Sequence, residues 1–223
     1  VPRVDAEDGR PPPDVDRVLA GPERTSRVIG DAERRTIAVH EAGHALVGHV
    51  LPHADEVHKI SIVARGSALG YTVMLPEEDR HLHTRSELAD RLAMTLGGRS
   101  AEEVVFGEIT TGAADDIEQA TRLARAMVTE FGMSDKLGPQ RFTNRDGEPF
   151  LGREHTRSAE LSDDLAARID DEVARLLDEA HERARRIVER HRTTLDALAD
   201  ALIERETLVE DELDALLAGA DGA

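Results

Sequence analysis

The chain has 223 residues, 39% of them apolar, which is enough for one full hydrophobic core. Its formal charge of −18 argues against binding to nucleic acid or anionic lipid, since both attract basic surfaces. The absence of cysteine excludes a disulfide scaffold, a cysteine nucleophile and a thiolate metal site.

Residues 1–13 are proline-rich and charged and read as a disordered lead-in without the apolar core of a secretory leader. A short helical piece follows from Val15, broken at Gly21-Pro22. Asp31 is the expected cap of a helix that runs to about Leu51, where Pro52 stops it. Val57–Val63 alternates as a strand, 64–70 reads as a loop, and Gly70–Leu75 is a second strand, so the two predict a hairpin. T-R-S-E from Thr84 is a capping box, and the helix behind it meets Gly97-Gly98 before continuing or restarting towards Gly107.

A turn at Thr110–Gly112 leads into a helix over about 114–131, with Ile117, Ala120, Ala124, Met127, Val128 and Phe131 expected on its apolar side. Residues 133–160 read as irregular. Ser162 caps a long helix to about His191, and a helix over about 195–204 follows. T-L-V-E at Thr207–Glu210 reads as a second capping box before a last helix ending near Leu217. The expected fold is mainly α with a small β-sheet and a long C-terminal helical arm. No stretch is long and apolar enough to predict a membrane span.

The chemistry concentrates in V-H-E-A-G-H at residues 39–44. Helical spacing of four puts His40 and His44 on one face, where two imidazoles can share a metal ion, with zinc the first choice. Glu41 lies about 100° round the helix from His40. It therefore reaches past the metal rather than to it, as the base for a water that zinc acidifies towards a pKa of about 7. A catalytic zinc needs a third protein ligand and an open position. Spacing leaves that ligand open among Glu102, Glu103, Asp115, Asp116 and the remaining histidines. There are only two lysines, Lys59 and Lys136, and neither closes a G-x-x-x-x-G-K-[ST] loop, so no phosphate cradle for ATP is present.

Longer stretches carry a resemblance. D-R-V-L-A-G-P-E-R-T-S-R-V-I, V-H-E-A-G-H-A-L-V, A-L-G-Y-T-V-M-L-P-E-E-D-R, L-G-G-R-S-A-E-E-V-V-F-G-E, T-T-G-A-A-D-D-I-E-Q-A-T and M-V-T-E-F-G-M-S-D-K-L-G-P occur in this order. From about Val15 to Leu217 the chain resembles the protease domain of the FtsH family of membrane-anchored, ATP-dependent zinc metalloproteases. The resemblance implies a zinc endopeptidase with His40, His44 and Asp116 as metal ligands and Glu41 as base. It also implies a homo-hexameric ring on the cytoplasmic side of a membrane, with unfolded polypeptides as substrates. An ATPase module would precede the protease domain; only its trailing segment, within residues 1–30, falls in this chain. Residues 31–160 would then be the peptidase core and 161–223 a helical part of the same domain.

Val39 stands where the family often has an aromatic residue, and 143–160 departs from the family pattern. The hairpin suggests a docking strand for an extended peptide, with Val57, Ile60 and Ile62 as contacts. Two rival readings are a catalytically silent oligomerisation ring and a scaffold with a structural zinc.

Overall fold

The computed structural model describes residues 29–64, 69–75, 82–142 and 161–220. The expected pieces at 1–28 and 143–160 lie outside these residues, as does most of the 64–70 loop. In chain order the elements are α1 (Asp31–Val50), β1 (Glu56–Ser61), β2 (Tyr71–Leu75), α2 (Arg85–Thr95) and α3 (Gly97–Phe106). A 3-10 turn (Thr111–Ala113) precedes α4 (Ala114–Thr129), α5 (Asp163–Arg190), α6 (Arg192–Arg205), β3 (Thr207–Val209) and α7 (Glu210–Leu217). The architecture is mainly helical with one small antiparallel sheet, and none of the described helices is long and apolar enough to cross a membrane.

α1 is the central element. From Ile37 to Gly48 nearly every residue is buried, because α3, α6, β1 and α2 surround it. Its N-cap is Gly30 rather than the expected Asp31, which sits in the first turn, where a carboxylate complements the helix dipole. The tightest crossing is with α3. A Cβ on Gly43 would lie 2.6 Å from both the Gly97 carbonyl oxygen and Ala101 Cβ, so the two backbones touch only because both positions are glycine. This contact brings the start of α3 under the middle of α1.

The capping box at Thr84 and Glu87 forms as expected, with both reciprocal bonds. Ser162 caps α5 through the Leu165 amide. α5 is amphipathic: Ile169, Val173, Leu176, Ala180 and Ala184 enter the same core that holds Ile37 and Leu46 of α1 and Leu208 and Leu217 near the C-terminus. α4 ends at Thr129, and Ile117 and Phe131, expected on its buried side, are exposed.

The second expected capping box does not form. Thr207–Val209 is a third strand paired with β1, Ile60 opposite Leu208 and Ser61 opposite Thr207, and α7 has no side-chain cap. The Thr207 hydroxyl shares a 2.8 Å hydrogen bond with Ser61 across the sheet instead, and Leu208 is fully buried. Burial of that leucine and a β-branched neighbour on each side favour extended backbone over a cap.

The strand order is therefore β2-β1-β3. This corrects the expected docking edge. β1 is the middle strand, and Val57, Ile60 and Ile62 are buried in the core, with the Ile62 amide bonded to the Glu206 carbonyl. β2 is the edge strand that runs beside α1.

Candidate metal centre

Three side chains converge above the α1–α3 crossing. His40 Nε2 lies 3.1 Å from His44 Nε2 and 3.1 Å from Asp116 Oδ2, and His44 Nε2 lies 3.5 Å from the same oxygen. Ligands about 2.0–2.1 Å from a tetrahedral zinc stand about 3.3 Å from each other, so the triangle has the size a metal ion needs.

The outer nitrogens are already committed. His44 Nδ1 donates to the Met94 carbonyl at 2.9 Å, and His40 Nδ1 donates to Glu102 Oε1 at 2.7 Å. Both bonds fix the tautomer that leaves Nε2 bare, the usual support for a histidine that binds metal. Two bare nitrogens and a carboxylate pointing at one spot repel each other unless a cation or a shared proton lies between them. The space is reserved as well: a Cβ on Gly98 would lie 2.6 Å from Nε2 of both histidines. The donor set, its size and the glycine beneath it fit zinc.

Local sequence explains the placement. The four-residue step of α1 aligns the imidazoles. Asp116 is in the first turn of α4 and half-buried, whereas its neighbour Asp115 is exposed and outside the triangle. The turn before α4 is held by Thr110, whose hydroxyl accepts from the Gly112 amide. Glu102 joins the two parts, since its second oxygen takes the Thr110 amide at 2.8 Å. This carboxylate, almost fully buried, thus ties the His40 ring to the loop that delivers Asp116.

Glu103, the adjacent candidate, pairs with His181 of α5 instead. His58 pairs with Glu210. Glu102 was legible only as a possible ligand; its supporting role, like the part of Gly98, depends on the packing of α3 against α1.

Charge follows the geometry. Burial opposes a proton on His40, but hydrogen bonds to Asp116 and Glu102, with Glu41 nearby, outweigh it and lift the pKa to about 10. Burial acts on Asp116 in the opposite sense and raises it, yet bonds from both imidazoles hold its carboxyl well below the usual range. Glu102 is likewise lowered, because His40 and Thr110 bonds exceed the cost of burial.

Glu41 behaves oppositely. Its burial pushes the pKa up, opposed by the nearby histidines and by the Thr72 hydroxyl, which donates to Oε2 at 2.8 Å. Glu41 faces the same cleft as the triangle, a hollow of about 800 Å³ bordered by β2 on one side and by Thr110–Asp116 on the other.

The family model described as Peptidase family M41 matches residues 27–216. The chain belongs to this family. It is 52% identical over 217 residues to "ATP-dependent zinc metalloprotease FtsH 1" of Conexibacter woesei, covering 97% of the chain and 32% of that relative. It is 55% identical over 200 residues to "ATP-dependent zinc metalloprotease FtsH" of Kosmotoga olearia, covering 89% and 31%. To "ATP-dependent zinc metalloprotease FtsH 1" of Sphaerobacter thermophilus it is 54% identical over 202 residues, covering 91% and 31%. The chain thus spans about a third of the length of these relatives.

Proposed function

We propose that this M41 chain is the zinc-dependent endopeptidase part of an ATP-dependent protease, and that it hydrolyses peptide bonds of unfolded polypeptides. The observation that carries the reading is the convergence of His40, His44 and Asp116 beside Glu41 in an open cleft. His40 Nε2, His44 Nε2 and Asp116 Oδ2 would hold the ion. Zinc there supplies a Lewis acid that polarises the scissile carbonyl and makes water a nucleophile near neutral pH.

The chain's own groups do the rest. Glu41, whose carboxyl burial pushes up, takes the proton from the attacking water and passes it to the leaving nitrogen. Thr72 holds the Glu41 carboxylate through Oε2. Glu102 and the Met94 carbonyl hold the two imidazoles by their Nδ1 protons. β2, the edge strand that pairs only with β1 among the described residues, would offer backbone hydrogen bonds on its outer side to an extended peptide lying in the cleft, in place of the buried β1. Main-chain pairing of this kind requires an unfolded segment. The openness of the cleft favours catalysis over a structural zinc, whose four ligands would close the site.

The relatives' names include ATP dependence. In the parent protein an ATPase module would unfold and deliver clients to a homo-hexameric ring at the cytoplasmic face of a membrane. Residues 31–160 and 161–223 would act as one protease domain, a reading supported by the single core that they share.

The test is cleavage of an unstructured fluorogenic peptide by the zinc-loaded chain and by its Glu41→Gln variant, with bound zinc measured in both. Zinc retained and cleavage lost in the variant is the expected result. Equal cleavage by both would remove Glu41 from the mechanism. Zinc bound without cleavage by either would favour the scaffold.

A further inference from the structure

A second hollow, of about 760 Å³, opens where α1 ends and α5 turns into α6. Its floor is apolar: Val50 and Leu51 at the end of α1, Ile187 of α5, and Ala220. Its rim is cationic. Arg183, Arg186 and Arg190 follow at steps of three and four along α5, so they share the face that carries Ile187. Arg183 is paired with Asp90. Arg186 and Arg190 are exposed, one helical turn apart, and neither has a carboxylate partner among the described residues. The one acid among the described residues lining the hollow, Glu189, is held by Arg185 at 3.0 Å.

His191 completes the wall. It is 6% exposed, and its ring has no hydrogen-bond partner among the described residues. Burial first, then Arg190 and His49, lower its pKa, so the ring is neutral at pH 7 and keeps one N–H to donate. Two unpaired guanidinium groups and a buried, unbonded imidazole thus border one apolar hollow. The set matches a carboxylate, which a guanidinium binds through two parallel bonds, standing next to an apolar side chain.

The catalytic cleft has the opposite character. Glu33, Glu41, Glu102, Asp115 and Asp116 line it, with no lysine or arginine among the described residues there. An acidic stretch of an unfolded client is repelled at the cleft and attracted at the hollow. Val50 lies six residues beyond His44, about 9 Å along the α1 axis, so one unfolded client reaches both.

Resting on the proposed peptidase reading, we propose that the hollow is a docking site for client polypeptides, separate from the cleft, and that it captures acidic segments bearing a leucine-sized side chain. Arg186 and Arg190 grip the carboxylates, His191 donates to one of them, and the apolar side chain rests on Val50, Leu51 and Ile187. Docking raises the local concentration of client at the cleft and lowers KM without touching the chemistry.

The binding probe is a fluorescein-labelled peptide in which two leucines flank a pair of glutamates, titrated by anisotropy against the zinc-loaded Glu41→Gln chain, which leaves it uncut. The glutamine analogue should bind at least about 10-fold more weakly. Arg186→Gln combined with Arg190→Gln should weaken the acidic peptide by a similar factor and leave the analogue unchanged. The paired lysine substitutions should restore part of the affinity, since they keep the charge and lose the fork, which separates recognition from folding. In the Glu41 parent, a fluorogenic substrate extended by the acidic segment should show a KM about 10-fold below that of its glutamine analogue, at equal kcat, and the double glutamine variant should erase the difference.

Cleavage of both substrates with equal KM, and no charge-dependent binding, overturns the docking site and spares the peptidase reading. Charge-dependent binding without cleavage of either substrate keeps the hollow as an acidic-peptide site and overturns that reading. Loss of self-association in the double variant with peptide affinity unchanged would give the hollow to a second copy of the chain. Binding seen only after Asp221→Asn would give it to Asp221, the residue that follows Ala220. Either result overturns the client as occupant.

Discussion

Replacing Gly98 with alanine should abolish tight zinc binding without harming the fold. The added Cβ would stand 2.6 Å from Nε2 of His40 and of His44, with His40 Cε1 equally close. Ordinary contact needs about 3.4 Å, so the rings must retreat by about 0.8 Å, whereas metal–ligand distances tolerate about 0.2 Å. Both imidazoles are held at Nδ1 and cannot keep their Nε2 positions beside such a Cβ, so the triangle is lost. The helix itself loses nothing: alanine is favoured over glycine by up to about 1 kcal/mol in a helix interior, and Gly98, in the first turn of α3, would gain a part of that, worth at most about 2–4 °C in Tm for a domain of this size.

The two effects have opposite signs. Zinc affinity, measured by competition with a chromophoric chelator, should fall at least about 100-fold. The Tm of the metal-free variant should stay within about 3 °C of the metal-free parent. A variant that binds zinc as tightly as the parent would refute the steric argument. A variant that loses the fold together with the metal would show that Gly98 is needed for the α1–α3 crossing rather than for the site.

Glu102→Gln keeps the shape of the buried side chain but weakens the His40 and Thr110 bonds, so chelator competition should show zinc affinity lower by about 10–100-fold. Gly70→Ala would place a Cβ 2.6 Å from Glu41 Oε1; peptide cleavage should drop at least about 10-fold while zinc titration is unchanged. Far from the cleft, Glu172 is buried and bonded first of all to Arg175, and also to Lys136 and Ser134, which lowers its pKa from 4.5 to about 2. A lowered carboxyl stabilises above its unfolded pKa and loses that contribution as pH falls through the folded one, so the window is pH 4.5 down to about 2. Allowing for screening around exposed Lys136, the contribution is about 2 kcal/mol. The urea midpoints of the parent and Glu172→Gln should differ clearly at pH 7 and converge towards pH 2.

Much of the helical framework is written in local signals. Pro52 ends α1, Thr84 and Glu87 cap α2, and Ser162 caps α5, each acting within one turn of the chain. The pairing of His40 with His44 is local for the same reason. The sheet order is not local: Ile60 meets Leu208, a partner far along the chain, and T-L-V-E satisfies a capping pattern equally well as a three-residue strand. The middle position of β1 could not be read without that partner.

Asp115 and Asp116 differ only by one helical step of about 100°, so helix periodicity cannot say which enters the cleft; the family resemblance pointed to Asp116, which is the one that faces the histidines. Ile117 and Phe131 fit the apolar period of α4 and are nonetheless exposed, because burial depends on what packs against a helix and not on its own pattern alone.

The central claim is that His40, His44 and Asp116 hold one zinc ion. Its most direct test is a crystal structure of the zinc-loaded chain with data at the zinc absorption edge. The account predicts a single strong anomalous peak about 2.0–2.1 Å from His40 Nε2, His44 Nε2 and an Asp116 oxygen, with Glu41 outside the coordination shell. A peak ligated by Glu41 or Glu102, or one at another histidine with this triangle empty, would contradict it.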